Sequence, residues 1–193
     1  MIVPSIPQVL LLMFLGGTFV HFTYAGARTF HSENLAFERG AAIGQNLFIF
    51  GGVMPAWYLG LHHVIRGPYG VGAAVLMAAS LGLYEWARYA IRGRRFGLGW
   101  GEQVPEAVCG TGPYRLVRHP IYLSYVLAFL AVLVALPHWI TGIIFALAFA
   151  LFLHGARHDE RQISRSALAA DYAAYRERTG MFLPKLSRAA PGR

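Results

Sequence analysis

The chain has 193 residues, one domain's worth by length. The residues AVILMFWYC make up 56% of it, charged residues only 13%, and the mean hydropathy is +0.45; soluble domains average about 45–50% apolar even with glycine counted. This excludes a disordered chain and argues against a soluble globule, and the single cysteine, Cys109, excludes an internal disulfide framework and a multi-cysteine metal site.

Four stretches carry no Asp, Glu, Lys or Arg: residues 1–27, 40–65, 67–84 and 119–156. One helix crosses the hydrocarbon core with roughly 20 apolar residues, so the first three fit one span each. The fourth is too long for one span and carries Pro137-His138 near its middle. It reads as a tight helical hairpin. The predicted architecture is therefore all-α and polytopic, with five spans near 6–27, 43–65, 69–91, 120–136 and 139–156. Ala25-Gly26-Ala27 offers small residues for a signal peptidase, but no basic residue precedes the apolar run, which is long for a signal. A retained first span is expected.

Two regions depart from ordinary membrane sequence. The loop from Gly93 to Pro120 is glycine-rich and ends in Gly112-Pro113-Tyr114-Arg115-Leu116-Val117-Arg118-His119-Pro120-Ile121-Tyr122. Pro120 suits the first position of a helix. Arg118 could serve as an interfacial anchor and Tyr114 and Tyr122 as belt aromatics. Alternatively, Arg118 and His119 sit at a helix start, where free N–H groups and the dipole favour an anion such as a carboxylate. In the tail, residues 156–179 read as one helix, stopped by Gly180 and Pro184. Leu168, Tyr172 and Tyr175 share one face of it, a spacing that fits packing better than ligand binding. Asp159 and Glu160 stand near the membrane surface, where topology does not require acids. They either pair with Arg157, Arg161 or Arg165, or one of them holds a ribose hydroxyl or an ammonium group. His154 and His158 are spaced as metal ligands can be, but His21, His31, His62, His63 and His138 do not converge with them. No metal site is expected.

Taken together, these pieces resemble the integral-membrane methyltransferases of the isoprenylcysteine carboxyl methyltransferase family, related more distantly to the phospholipid N-methyltransferases. The matching pieces are Gly112-Pro113-Tyr114, Arg118-His119-Pro120-x-Tyr122, Asp159-Glu160, the Tyr172/Tyr175 helix and Thr179-Gly180 through Pro184. The resemblance covers roughly residues 70–186, and the two N-terminal spans match it only in being spans; the chain is read as one domain, with those spans in 1–66 and a catalytic core in 67–186. The resemblance implies S-adenosylmethionine as methyl donor and a lipid-like or prenylated acceptor reached from the membrane. By position, cofactor contacts fall on Glu106, Ala107, Val108, Cys109, Tyr114, His119, Pro120, Ile121, Tyr122 and Glu160. The catalytic set is Arg118, His119, Arg157 and Glu160, with Arg157 linked to the substrate. Two positions depart from the pattern: Asp159 replaces a glutamate, and Ser124 replaces a glycine that would allow a close helix contact.

A carboxylate acceptor needs no general base, so such a site must mainly position, desolvate and bind. An amine would need deprotonation, with Glu160 or His119 the only obvious helpers. Phospholipid or small-molecule N- and S-methyl transfer and a nicotinamide-dependent membrane reductase are the alternative chemistries. The net charge of +8 would suggest nucleic acid in a soluble protein. Placement gives a different reading. With five spans, Arg66 alone of the 17 basic residues falls on the side opposite the tail. By the positive-inside rule the N-terminus is outside and the tail cytoplasmic. No nucleic-acid partner is implied. Cysteines placed at positions 67 and 187 test this orientation. An impermeant thiol reagent added to intact cells is expected to label position 67 and spare 187; the reverse pattern would overturn it.

Overall fold

The computed structural model describes residues 4–29, 54, 57–63, 65, 67–92 and 107–185. Among these residues the protein is helical, with α1 at Ile6–Thr29, α2 at Gly67–Ala90, a short 3-10 turn at Gly112–Arg115, α3 at Pro120–Ala135, α4 at Trp139–Ile163 and α5 at Ala169–Arg178. The only extended pairing among them is an isolated parallel bridge between Val117 and Gly180. α1, α2 and α4 are long and apolar enough to cross a membrane, and α3 is a shorter apolar helix. The expected second span, 43–65, lies largely outside the described residues, as does the glycine-rich stretch 93–101. Residues 57–62 are helical.

Helix lengths follow from local chemistry. α3 begins at Pro120, whose missing N–H costs nothing in a first turn. Its 16 residues rise only about 24 Å, less than the roughly 30 Å hydrocarbon core. α4 starts on a reciprocal cap: His138 Nδ1 accepts from Ile140 N at 3.2 Å, and Thr141 Oγ1 accepts from His138 N at 3.2 Å. Its 25 residues rise about 38 Å, so it runs past the apolar stretch and carries Asp159 and Glu160 beyond it.

This corrects one expectation. Residues 156–179 are not a single helix. The first part continues α4, and the chain breaks between Ile163 and Ala169. Serine side chains compete with the helical pattern there. Ser164 Oγ donates to the Glu160 carbonyl at 2.7 Å, Ser166 Oγ donates to the Ile163 carbonyl at 2.7 Å, and Ser166 Oγ also accepts from Leu168 N at 3.1 Å. The break sends α5 back toward the loop before α3. Tyr172 and Tyr175 are buried, and the Tyr175 hydroxyl donates to the Tyr114 carbonyl at 2.6 Å. Leu168 caps the start of α5 instead of extending their stripe.

The core is aromatic where four helices meet and small where two come close. Phe22 lies 4.4 Å from Tyr84, Phe19 4.9 Å from Phe129, and Tyr125 5.2 Å from Phe152, ring centre to ring centre. Ala73, Ala87, Ala128 and Ala131 are fully buried. Ser80 Oγ donates to the Ser124 carbonyl at 2.6 Å, so α2 and α3 make a close contact at Ser124. Small residues and interhelical hydrogen bonds of this kind join helices where lipid offers no hydrophobic drive. Toward the other end, buried Gln8 donates to the carbonyls of Gly60 and, at 2.8 Å, His63, and so ties α1 to the 57–63 segment.

The strap after α5 closes the fold. Arg118 N donates to the Gly180 carbonyl at 2.8 Å and His119 N to the Met181 carbonyl at 3.3 Å. Gly180 turns here against the Leu183 carbonyl, and a Cβ at this position would run into that backbone oxygen. Gly180→Ala is therefore expected to destabilise the detergent-purified protein by about 1–3 kcal/mol in chemical unfolding, as overpacking does. Gly110→Ala, which would point into open space, should be near neutral. Equal stability of the two variants would show that the strap does not depend on this turn.

Candidate functional site

The site is built where three parts of the chain meet: the start of α3, the last turns of α4, and α5 with its strap. Glu160 is its centre. It is only 7% exposed although it is an acid one turn from the end of a helix. Arg118 Nε donates to Glu160 Oε1 at 2.7 Å, and His119 Nε2 lies 3.4 Å from the same oxygen. Arg176 from α5 approaches the other oxygen at 3.7 Å. Arg118 Nη1 also donates to the Thr179 carbonyl. The guanidinium fork thus holds a carboxylate on one side and the strap on the other, a task that a lysine's single point of charge does not reproduce.

Arg118 is no exposed anchor: its side chain is 8% exposed. Neither Tyr114 nor Tyr122 serves as an exposed belt aromatic. Tyr114 is buried, and the Tyr122 hydroxyl donates to Asp159 Oδ2 at 3.1 Å. The adjacent acids therefore have separate partners. Asp159 joins α4 to α3 through Tyr122, and Glu160 joins α4 to the residues just before α3. The His119 ring stacks on Tyr122 at 5.7 Å, and Tyr122 on Phe152 at 5.9 Å. His119 is the N-cap of α3 but makes no side-chain cap bond. The amide groups of Ile121 and Tyr122, in the first turn, lack intrahelical acceptors by the geometry of a helix start.

Of the residues expected to contact a cofactor, Tyr122, His119, Pro120, Ile121 and Glu160 come together here. Cys109 and Tyr114 form a neighbouring cluster with Ala87 and Ile91, linked to α5 through Tyr175. Ala107 is exposed and Val108 half-buried, and Glu106 lies outside the described residues. Arg157 is exposed and stands on the solvent side of Glu160, where it lines a cavity with Arg161, Ser164, Arg165 and Arg176. Among the described residues, no three of His, Cys, Asp or Glu gather as a metal's ligands.

Two contributors escape the sequence reading, and a third, Tyr172, enters it only as part of a matching helix. Arg176 gives no motif signal. The Thr179 carbonyl is backbone and invisible to side-chain patterns. Tyr172 is a packing residue by spacing, yet its buried hydroxyl finds no hydrogen-bond partner among the described residues. The charges of Glu160 and Arg118 bear on that hydroxyl, and burial pushes its pKa above the ordinary tyrosine range. It is a neutral donor. Its place one turn before Arg176 was the available signal.

Residues 102–164 match the isoprenylcysteine carboxyl methyltransferase (ICMT) family, so the resemblance carried by the motifs holds over the loop, α3 and α4. Two curated relatives are similar in part. A methanethiol S-methyltransferase from a Pseudomonas species is 34% identical over 90 residues, 45% of this chain and 33% of that protein. The cobalt-zinc-cadmium resistance protein CzcN from Cupriavidus metallidurans is 35% identical over 77 residues, 40% of this chain and 35% of that protein. The matched part thus spans about a third of the length of each relative.

Removing one partner of a buried ion pair leaves the other charge uncompensated, at a cost of about 3–5 kcal/mol. Arg118→Met should lower the unfolding free energy by about that amount, and Arg118→Met with Glu160→Met should recover most of it. Chemical unfolding in one detergent checks both variants. An Arg118→Met protein as stable as wild type would remove this pair from the architecture.

Proposed function

We propose that the chain is a membrane methyltransferase that uses S-adenosylmethionine and acts on a lipid-like acceptor at the tail-side membrane face, the cytoplasmic one by the distribution of arginines. The reading takes five spans, the second within 43–65, with α3 and α4 as a hairpin. The observation that carries it is the buried Glu160, held by Arg118 and His119 at the start of α3. Nothing in helix packing alone calls for a carboxylate there, and the family match covers the same residues.

The donor set suits the cofactor. Glu160 offers acceptor oxygens for an ammonium group or a ribose hydroxyl. The unpartnered Tyr172 hydroxyl offers a buried polar contact beside it. The first-turn amides of Ile121 and Tyr122 suit a carboxylate. When bound, S-adenosylmethionine supplies a methyl group on a sulfonium, transferred by in-line displacement. Arg118, with its fork engaged on both sides, fixes Glu160 and the strap before any ligand arrives, and so spends no binding energy on ordering them. Tyr122, locked between His119, Phe152 and Asp159, forms an apolar wall that excludes water from the start of α3. Arg157, exposed beside Glu160, is placed to steer an acidic acceptor. A carboxylate acceptor of the isoprenylcysteine type needs no base, which fits a site whose carboxylates already have partners.

A second reading takes a thiol as acceptor. It is favoured by the relative named methanethiol S-methyltransferase. A thiol must lose its proton to become a strong nucleophile, and His119, beside Glu160, is the residue positioned to receive it.

Labelled methyl transfer from S-adenosylmethionine by the detergent-purified protein, offered a prenylcysteine acid and a small alkanethiol in parallel, separates the two readings. Transfer to neither, together with no binding of S-adenosylmethionine by calorimetry, would reject both. Glu160→Gln should weaken S-adenosylmethionine binding by about 1–3 kcal/mol, the range for a charge-assisted hydrogen bond, and Asp159→Asn should cost less. Equal affinity in wild type and Glu160→Gln would remove Glu160 from the cofactor's contacts.

A further inference from the structure

On the solvent side of Glu160 the chain leaves a cavity of about 280 Å³, lined by Arg157, Arg161, Arg165 and Arg176 with Ser164 and Glu160. Arg157 and Arg161 are one turn apart on α4, Arg165 sits in the break that follows, and Arg176 comes from α5. Like charges at this helical spacing destabilise a helix, by about 0.2–0.5 kcal/mol per pair. Their only carboxylate within the cavity is Glu160, which Arg118 already holds at 2.7 Å from behind. Arg176 reaches it at 3.7 Å, while Arg157, Arg161 and Arg165 make no ion pair with any described residue. Asp159 faces Tyr122, and Asp171 and Glu177 on α5 pair with none of the four. Positive-inside placement accounts for basic residues on this side of the membrane, but not for four from two helices and the break between them converging on one cavity.

We infer that this cavity is an anion site for a phosphate group, in particular the headgroup phosphate of an anionic membrane lipid. Arginine forks bind phosphate oxygens in pairs, and four of them with one pre-neutralised acid leave a net positive charge that a phosphate monoester or diester completes. The cavity, about 280 Å³, has room for a phosphate headgroup. Its position, at the end of a span-length helix that outruns the hydrocarbon thickness, is at headgroup level. The inference does not require the methyl-transfer reading. Occupancy would place an anionic lipid against the outer edge of the Glu160 site.

The test is equilibrium binding to the detergent-purified full chain of three probes: short-chain phosphatidylglycerol, short-chain phosphatidylcholine and inorganic phosphate. Phosphatidylglycerol should saturate one site and phosphatidylcholine should bind far more weakly. The double variant Arg161→Gln/Arg165→Gln should lose phosphatidylglycerol affinity by about tenfold or more, since two charge-assisted pairs go. A control that removes the same charge elsewhere, Arg115→Gln/Arg178→Gln, should stay within about twofold, the scale of exposed charges. Phosphatidylglycerol displaced by inorganic phosphate identifies a site that also takes the free anion; phosphatidylglycerol that resists it identifies a headgroup site. Unchanged binding in the cavity variant, or an equal loss in the control, overturns the inference, because the attraction is then diffuse or absent.

Discussion

A carboxylate buried at the end of a long apolar helix is the constraint around which the rest of this molecule is arranged. Glu160 cannot stay there alone, because an unpaired charge at low exposure would neutralise or pull the helix end out to water. Arg118 meets it from the segment before α3, and the second arm of the same guanidinium takes the Thr179 carbonyl. One side chain thus joins positions 118, 160 and 179. The extra length of α4, the serine break after it and the return of α5 all serve that junction. Without the length, Glu160 would not clear the apolar stretch, and without the break the strap could not come back to Gly180 and Met181.

The division of labour between Asp159 and Glu160 follows from the same geometry. Adjacent residues on a helix point about 100° apart, so two neighbouring acids face two different neighbours. Asp159 meets the Tyr122 hydroxyl inside the α3–α4 pair, whereas Glu160 meets cations at its rim. The short aspartate side chain reaches a rigid tyrosine 3.1 Å away. The two carboxylates therefore do not compete for one proton or one partner, and each can be assigned its own task.

Much of this was legible from residue order. Charge-free stretches located α1, α2, α3 and the start of α4 within a few residues, because an apolar run of that length must leave water and, in lipid, must satisfy its own backbone as a helix; α4 runs on past the expected 156 to Ile163. Pro120 marked the start of α3 because proline is tolerated at a first turn. The gathering of Arg118, His119, Tyr122 and Glu160 was expected from the order of the motifs. The break at 164–168 was not legible, because alanine, arginine and glutamine around it are good helix formers and the serines act through local bonds that a periodicity count does not register. Nor was the burial of Arg118, which depends on a backbone carbonyl at Thr179. Arg176 was hidden for a related reason. Its partner, Glu160, lies on another element, and only the return of α5 makes neighbours of them.

The tie from Arg118 to Thr179 also sets an order of events during biosynthesis. The two residues are separated by 61 positions, and the chain is made from its amino end. Arg118 therefore leaves the ribosome well before either of its partners exists, and α3 and α4 are apolar enough to enter the bilayer in the meantime. Until the strap arrives, the guanidinium can meet only Glu160, and the arm that will take the Thr179 carbonyl faces water. The tie to the strap thus follows the meeting of Arg118 with Glu160. A nascent chain with α3 and α4 inserted can already pair Glu160 with Arg118, and the tie to Thr179 forms only when the segment after α5 docks.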